Sequence, residues 1–302
     1  MGGPVLFVEQ LFNGISVASL YLLAALGLAL SFGLMRVINM AHGEMLMLGG
    51  YLAYLTLQIV PGPLGFLVAM PVAFLGTAAL GAVIEFAVIQ RLAARPLDTL
   101  LATWGLSLIL QQATRNIFGA IGVDVTAPSW LNRVLTINSG TLAGLTLPVT
   151  RLFILAVAIA VLALLALFLS RSRAGLWVRA VNQDRAMAAA VGIDVRRVDL
   201  LVFAIGTGIA GLAGVMLALL GPVTPTVGQS YIVPAFLVVI LGGLGSLVGT
   251  TAASLIAGLF SALVQIFVDV SFAQVLLLVF VIAFIQIRPQ GVVAARSRAL
   301  DA

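Results

Sequence analysis

"GLMRVINMAHGEMLMLGGY", Gly33 to Tyr51, sets an Arg, an Asn, the chain's single His and a Glu among Leu, Met, Val, Ile and Gly. Apolar runs flank it, Asn13 to Leu34 before and Met45 to Val60 overlapping its end. In hydrocarbon a charged side chain costs about 3 kcal/mol on insertion scales, so polar residues there face a cavity, a partner or water. Two placements fit. Arg36 and Glu44 could mark the polar end of a helical hairpin, pairing in headgroups or water. Alternatively, Asn39, His42 and Glu44 line a pathway inside the membrane, with Asn39 the residue expected to contact solute and Glu44 expected to act structurally by pairing with Arg36. Gly43, Gly49 and Gly50 favour the second, because irregular backbone at membrane depth is tolerated only where protein or water satisfies it.

The rest of the chain agrees with a membrane setting. Of 302 residues 62% are hydrophobic and 8% charged, against about a quarter charged in an ordinary soluble domain. Further apolar runs are Gly65 to Ile89, Thr99 to Phe118, Leu152 to Leu169, Leu200 to Leu220, Ile232 to Val248, Leu255 to Val268 and Phe272 to Ile287. Most approach the ~20 residues a helix needs to cross ~30 Å of hydrocarbon. They predict an all-α polytopic transmembrane bundle of about eight spans, forming a single domain over residues 1–302. The first run lacks a basic n-region and a small-residue cleavage site, so it reads as a retained helix. With no cysteine, a disulfide framework and a thiolate metal site are both excluded.

Lys is absent, and most of the 15 Arg residues cluster, at 91 and 95, between 171 and 197, and at 288, 296 and 298. The positive-inside rule puts these segments in the cytoplasm. The N-terminus is then outside, the C-terminus cytoplasmic, and residues 121–150 form an extracytoplasmic loop. The net charge of +5 therefore reports topology rather than nucleic-acid binding. β-Branched residues around Asn138, Gly140 and Gly144 predict a small hairpin in the outer loop. Gly43 and Gly49 enclose five residues, as do Gly243 and Gly249, and matched Gly-broken segments in two related halves point to a midplane pathway.

"SRSRAGLWVRAVNQDRAMAAAVGIDVRRVDLL", Ser170 to Leu201, is the longest charged segment. Ala186 to Ala190 predicts a short helix stopped by Gly192. Its small face would let another protein's backbone approach, with flanking charges such as Arg185 and Asp194 setting register. A solvated helical loop is the plainer alternative.

Three blocks carry a family resemblance over nearly the whole chain: "GLMRVINMAHGEMLMLGGY"; "RAVNQDRAMAAAVGIDVRRV" followed by "FAIGTGIAGLAGVM"; and "LVVILGGLGSLVGT". The chain resembles the permeases of ABC importers for branched-chain amino acids. The resemblance implies that residues 170–198 are the cytoplasmic coupling loop, with Arg185, Ala186, Ala188, Ala189, Gly192 and Asp194 toward an ATPase. The Glu that usually opens that loop's Glu-Ala-Ala pattern is missing. It also implies a second homologous permease subunit, two ATP-binding ATPase subunits and an extracytoplasmic solute-binding protein, all at a bacterial cytoplasmic membrane.

"LDTLLATWGLSLILQQATRNIFG" and "VTPTVGQSYIVPAFLVV" look more like the urea importer's permease, although Pro234 stands where that subgroup has an acidic residue. Gln111, Gln112, Gln229, Ser230 and Tyr231 offer donors and acceptors without fixed charge, which suits a small neutral solute. Urea is the expected solute, with branched-chain amino acids the alternative. An enzyme is a poor reading: His42 and Glu44, two apart, point to different faces of a helix. A passive channel would leave the Arg- and Ala-rich loop without a purpose. Lacking a phosphate-binding glycine loop, the chain needs a separate ATPase and no cofactor of its own.

Overall fold

The computed structural model describes residues 3–35, 37–92, 95–137 and 145–293. The chain is an all-α bundle: α1 (Gly3–Met35), α2 (His42–Ile59), α3 (Pro63–Ile84), a π turn (Glu85–Ile89), α4 (Gln90–Leu92), α5 (Pro96–Phe118), α6 (Val149–Arg171), α7 (Arg173–Gln183), α8 (Arg185–Ala190), α9 (Val195–Ala218), α10 (Val227–Gly242), α11 (Leu247–Val264) and α12 (Val270–Ile287). Among the described residues, six helical stretches are long and apolar enough to cross a membrane. These are Phe7–Met35, Pro63–Leu92, Val149–Arg171, Val195–Ala218, Leu247–Val264 and Val270–Ile287, with α10 a shorter apolar helix. The run Ile232 to Val248 is not one helix. Gly243 (φ 95°) and Gly245 (φ 79°) turn the chain between α10 and α11 in a conformation that suits glycine.

Helix starts follow local chemistry. Pro63 and Pro96 open α3 and α5, where the missing N–H is no loss. Ser172, Asp184, Asp194, Ser246 and Asp269 each cap the third residue of the next helix through a side-chain oxygen. The predicted hairpin is present as β1 (Val134–Ile137) paired antiparallel with β2 (Leu145–Pro148), Thr136 opposite Thr146. Its turn at Asn138, Gly140 and Gly144 lies outside the described residues.

α9 is the hub, buried along its length by α1, α2 and α3. Small residues make this possible. A Cβ at Gly206 would stand 2.6 Å from the Gly27 carbonyl of α1, and one at Gly208 would stand 2.7 Å from the Phe74 ring of α3. Without a hydrophobic drive between helices in lipid, such close van der Waals contact is what holds them.

The contacts repeat. α1 packs on α11 about as extensively as α3 packs on α9; α1 meets α10 as α9 meets α2; α10 packs on α11 as α2 packs on α3. Exchanging α1 with α9, α2 with α10 and α3 with α11 leaves this pattern unchanged. The two self-paired contacts are glycine on glycine: Gly27 with Gly206, and Gly43 with Gly228. α11 runs antiparallel to α1, since Ala18 meets Gly258 and Gly33 meets Gly245, and α9 runs antiparallel to α3 likewise, through Gly211 on Ala73 and Thr207 on Gly81. Two related halves are therefore present, inverted about an axis through both glycine pairs. The mates of Gly43 and Gly49 are not Gly243 and Gly249, which belong to the α10–α11 turn and the start of α11. Equal spacing in sequence had matched the wrong glycines.

Candidate functional site

α2 does not begin where α1 ends. His42 Nε2 lies 3.1 Å from the carbonyl of Ala24, eleven residues before the end of α1, or about 16 Å at the helical rise. Residues 37–41 thus run back into the bundle as non-helical chain, and α2 starts at mid-depth. α10 is built likewise. Residues 219–226 return along the bundle, Val223 packing on Gly50 and pairing with Val123 through two backbone hydrogen bonds, before Gly228 meets Gly43.

Buried irregular backbone needs partners. Asn39, buried, accepts the Ala41 N–H on Oδ1 at 3.0 Å, while the Met40 N–H donates to Thr103 Oγ1 at 3.2 Å. Asn39 therefore shapes the turn into α2. His42, also buried, faces α1. Glu44 faces the other way, as a two-residue separation requires, and its Oε1 accepts Ser107 Oγ at 2.9 Å and Gln111 Nε2 at 2.7 Å. Gln111 Nε2 also reaches Ser107 Oγ at 3.1 Å, and Gln111 Oε1 accepts Gln229 Nε2 at 3.4 Å. One hydrogen-bonded chain thus joins α2, α5 and α10 where the two half-helices meet.

Glu44 is 1% exposed, and its Oε2 is buried without a hydrogen-bond partner. A carboxylate oxygen left so is costly, which makes it the natural place for a donor that the chain does not itself provide. Among the described residues no group of three His, Asp or Glu could hold a metal ion. Arg36, whose pairing with Glu44 the sequence suggested, lies outside the described residues.

The other expected pathway residues separate. Gln111 and Gln229 join the cluster. Gln112 is exposed and bonds Asn116 one turn on, at 2.9 Å, because its side chain leaves α5 about 100° away from that of Gln111. Ser230 is exposed, and Tyr231 packs, half-buried, on the core. Ser107 was missed, along with Thr103, although a signal existed. Thr99, Thr103, Ser107, Gln111 and Thr114 recur every three or four residues and form the buried face of α5, a polar stripe turned inward in an otherwise apolar helix.

At the far end, residues 170–198 hold α7 and α8. α8 stops as the sequence predicts: Gly192 has φ 88°, its N–H donates to Ala189 O and the Ile193 N–H to Ala188 O, both at 3.0 Å, a Schellman ending. Ala186 and Ala189 are exposed, and Asp194 caps α9. Ala188 is the correction: at 2% exposure it packs into the bundle and cannot face a partner. The large apolar side chains exposed in and just after α8 are Met187 (62%) and Val191 (70%), one turn apart, while Leu176 and Trp177 are exposed on α7. Arg185 also turns inward, toward α1 and α9.

Half-helices meeting at mid-depth, with a polar cluster between them inside a membrane-spanning bundle, are the architecture of a solute permease. The chain belongs to the family described as branched-chain amino acid transport system permease components, whose model it matches over residues 10–285. It is 30% identical over 299 residues to the high-affinity branched-chain amino acid transport system permease protein LivH of Salmonella typhimurium, covering 95% of each chain. It is 29% identical over 296 residues to LivH of Escherichia coli K12 and 31% identical over 300 residues to the permease protein BraD of Pseudomonas aeruginosa, again with 95% of each chain covered. No solved structure matches. These relatives lend no support to urea, which the uncharged residues Gln111, Gln112, Gln229, Ser230 and Tyr231 had favoured; the amino-acid alternative fits them better.

Proposed function

We propose that this chain is the permease subunit of an ATP-driven, binding-protein-dependent importer of branched-chain amino acids. The observation that carries this reading is the family match over residues 10–285. Glu44 supports the substrate class. A buried carboxylate oxygen without a partner suits the ammonium of an amino acid better than a neutral amide. Asn39 and His42 hold the backbone of the half-helix; Glu44, Ser107, Gln111 and Gln229 supply the contacts to solute. A second, homologous permease subunit completes the pathway. A solute-binding protein delivers at the outer loops, residues 121–150 among them, where a cavity of about 480 Å3 opens between Tyr54, Gln58, Asp124 and Asn132. Two ATPase subunits engage residues 170–198 through Ala186, Met187, Ala189 and Val191. The Arg clusters set the orientation in a bacterial cytoplasmic membrane, N-terminus outside and C-terminus cytoplasmic.

The test is uptake of labelled leucine against labelled urea into cells carrying the assembled importer, with and without its binding protein. Leucine uptake that requires the binding protein is expected. Binding-protein-dependent uptake of urea, with none of leucine, would overturn the substrate reading.

A further inference from the structure

Arg185 opens α8, yet its guanidinium serves other elements. Nη1 donates to the carbonyl of Leu34 at 3.0 Å, in the last turn of α1, and Nη2 pairs with Asp199 of α9. A carbonyl in the last turn of a helix has no partner within that helix, so a cation there satisfies it and meets the negative end of the helix dipole. One planar fork therefore ties α8 to α1 and α9 at once. Ala188 is the only side chain α8 buries, and Arg185 is its only side-chain hydrogen bonding to the long helices among the described residues.

Around this joint sit two carboxylates. Asp199 is 8% exposed and its Oδ1 has no partner. Glu85 is buried, its Oε2 equally unpartnered. Glu85 opens the π turn after α3, and that turn packs on α9. π turns interrupt a helix locally and recur at functional sites. The Arg185 side chain is 45% exposed, so the pair can be reached by water and broken reversibly. The Asp199 side chain is only 11% exposed, so withdrawing the guanidinium leaves a nearly buried carboxylate uncompensated, and opening the joint has a cost that something must supply.

We propose that Arg185 is a latch between the ATPase-facing loop and the transmembrane bundle, resting on the reading of residues 170–198 as that loop. Displacement of α8 by an ATPase withdraws the guanidinium from Leu34 and Asp199 in one movement. The cytoplasmic end of α1 is then released from α9. Return of α8 closes the joint.

The test is leucine transported per ATP hydrolysed by the assembled importer in liposomes. Arg185→Gln and Asp199→Asn should raise hydrolysis in the absence of binding protein and lower that ratio about fivefold or more, the range of a typical coupling energy. An assembled Arg185→Gln importer that couples like wild type overturns the latch. Should Arg185→Gln fail to assemble, Arg185→Lys decides. Its single ammonium cannot fork to both acceptors, so an intermediate ratio is expected and a wild-type ratio overturns the proposal. Wild-type hydrolysis that ignores loaded binding protein would instead sink the importer reading, and the latch with it.

Discussion

The starts of α2 and α10 are the same turn built twice. Asn39-Met40-Ala41-His42-Gly43-Glu44 corresponds to Thr224-Pro225-Thr226-Val227-Gly228-Gln229, and the backbone bonds agree: His42 N–H to Asn39 O as Val227 N–H to Thr224 O, Glu44 N–H to Ala41 O as Gln229 N–H to Thr226 O. The differences lie in what covers each turn. Met40 has an N–H to satisfy, and Thr103 of α5 satisfies it; the matching position is Pro225, which has none. Glu44 is buried against Ser107 and Gln111, whereas Gln229 is exposed and reaches Gln111 only at 3.4 Å. α5 packs on α2 as α12 packs on α10, but α12 buries Ala273, Leu277 and Val281 where α5 buries Thr103, Ser107 and Gln111. The backbone is thus symmetric and the chemistry is not. A single carboxyl group sits on one side of a two-fold frame.

The largest effect expected is from breaking the frame itself. Gly43→Val would drive a branched side chain into the Gly228 carbonyl, and backbone on backbone cannot be relieved by a rotamer change. Little folded protein should be recovered, and normal yield with normal helix content would show that the two half-helices do not meet there. Making the two turns chemically alike is gentler. Glu44→Gln keeps an acceptor for Ser107 and Gln111 but removes the charge, so thermal stability should hold or rise while leucine uptake falls about tenfold, the factor for one charge-assisted hydrogen bond. Unchanged uptake would mean that the free carboxylate oxygen meets no solute. The smallest effect belongs to Gln112→Ala, which touches only Asn116 on the exposed face of α5. Uptake and assembly should match wild type, and a clear loss of transport would put that face of α5 in the pathway after all.

Much of this was legible in order of residues. Eight of the nine apolar runs became single helical stretches, the run Ile232 to Val248 being broken at Gly243 and Gly245, because in a bilayer the backbone must satisfy itself locally and sufficient apolar length is almost the whole signal. The stop at Gly192 and the hairpin strands were legible for a similar reason, since turn and cap chemistry is decided within a few residues. The polar segment at 39–44 was identifiable as buried, since an Asn, a His and a Glu at membrane depth need partners. The partners were only half visible. Gln111 and Gln229 were found as uncharged donors, but Ser107 was passed over, because a polar stripe on an apolar helix states that something is faced without stating what.

Sequence by itself determined that the chain crosses a membrane as helices, where those helices lie, and which polar residues cannot face lipid, since each follows from composition and from spacing within one element. Tertiary structure alone decided that Gly43 mates with Gly228 rather than repeating as Gly243, that Ala188 packs inward while Met187 and Val191 protrude, and that Arg185 joins α1 to α9. The physical reason is range. A close approach of two backbones or a forked ion pair is set by helices far apart in the chain, and equal spacing along it carries no information about which of them will meet.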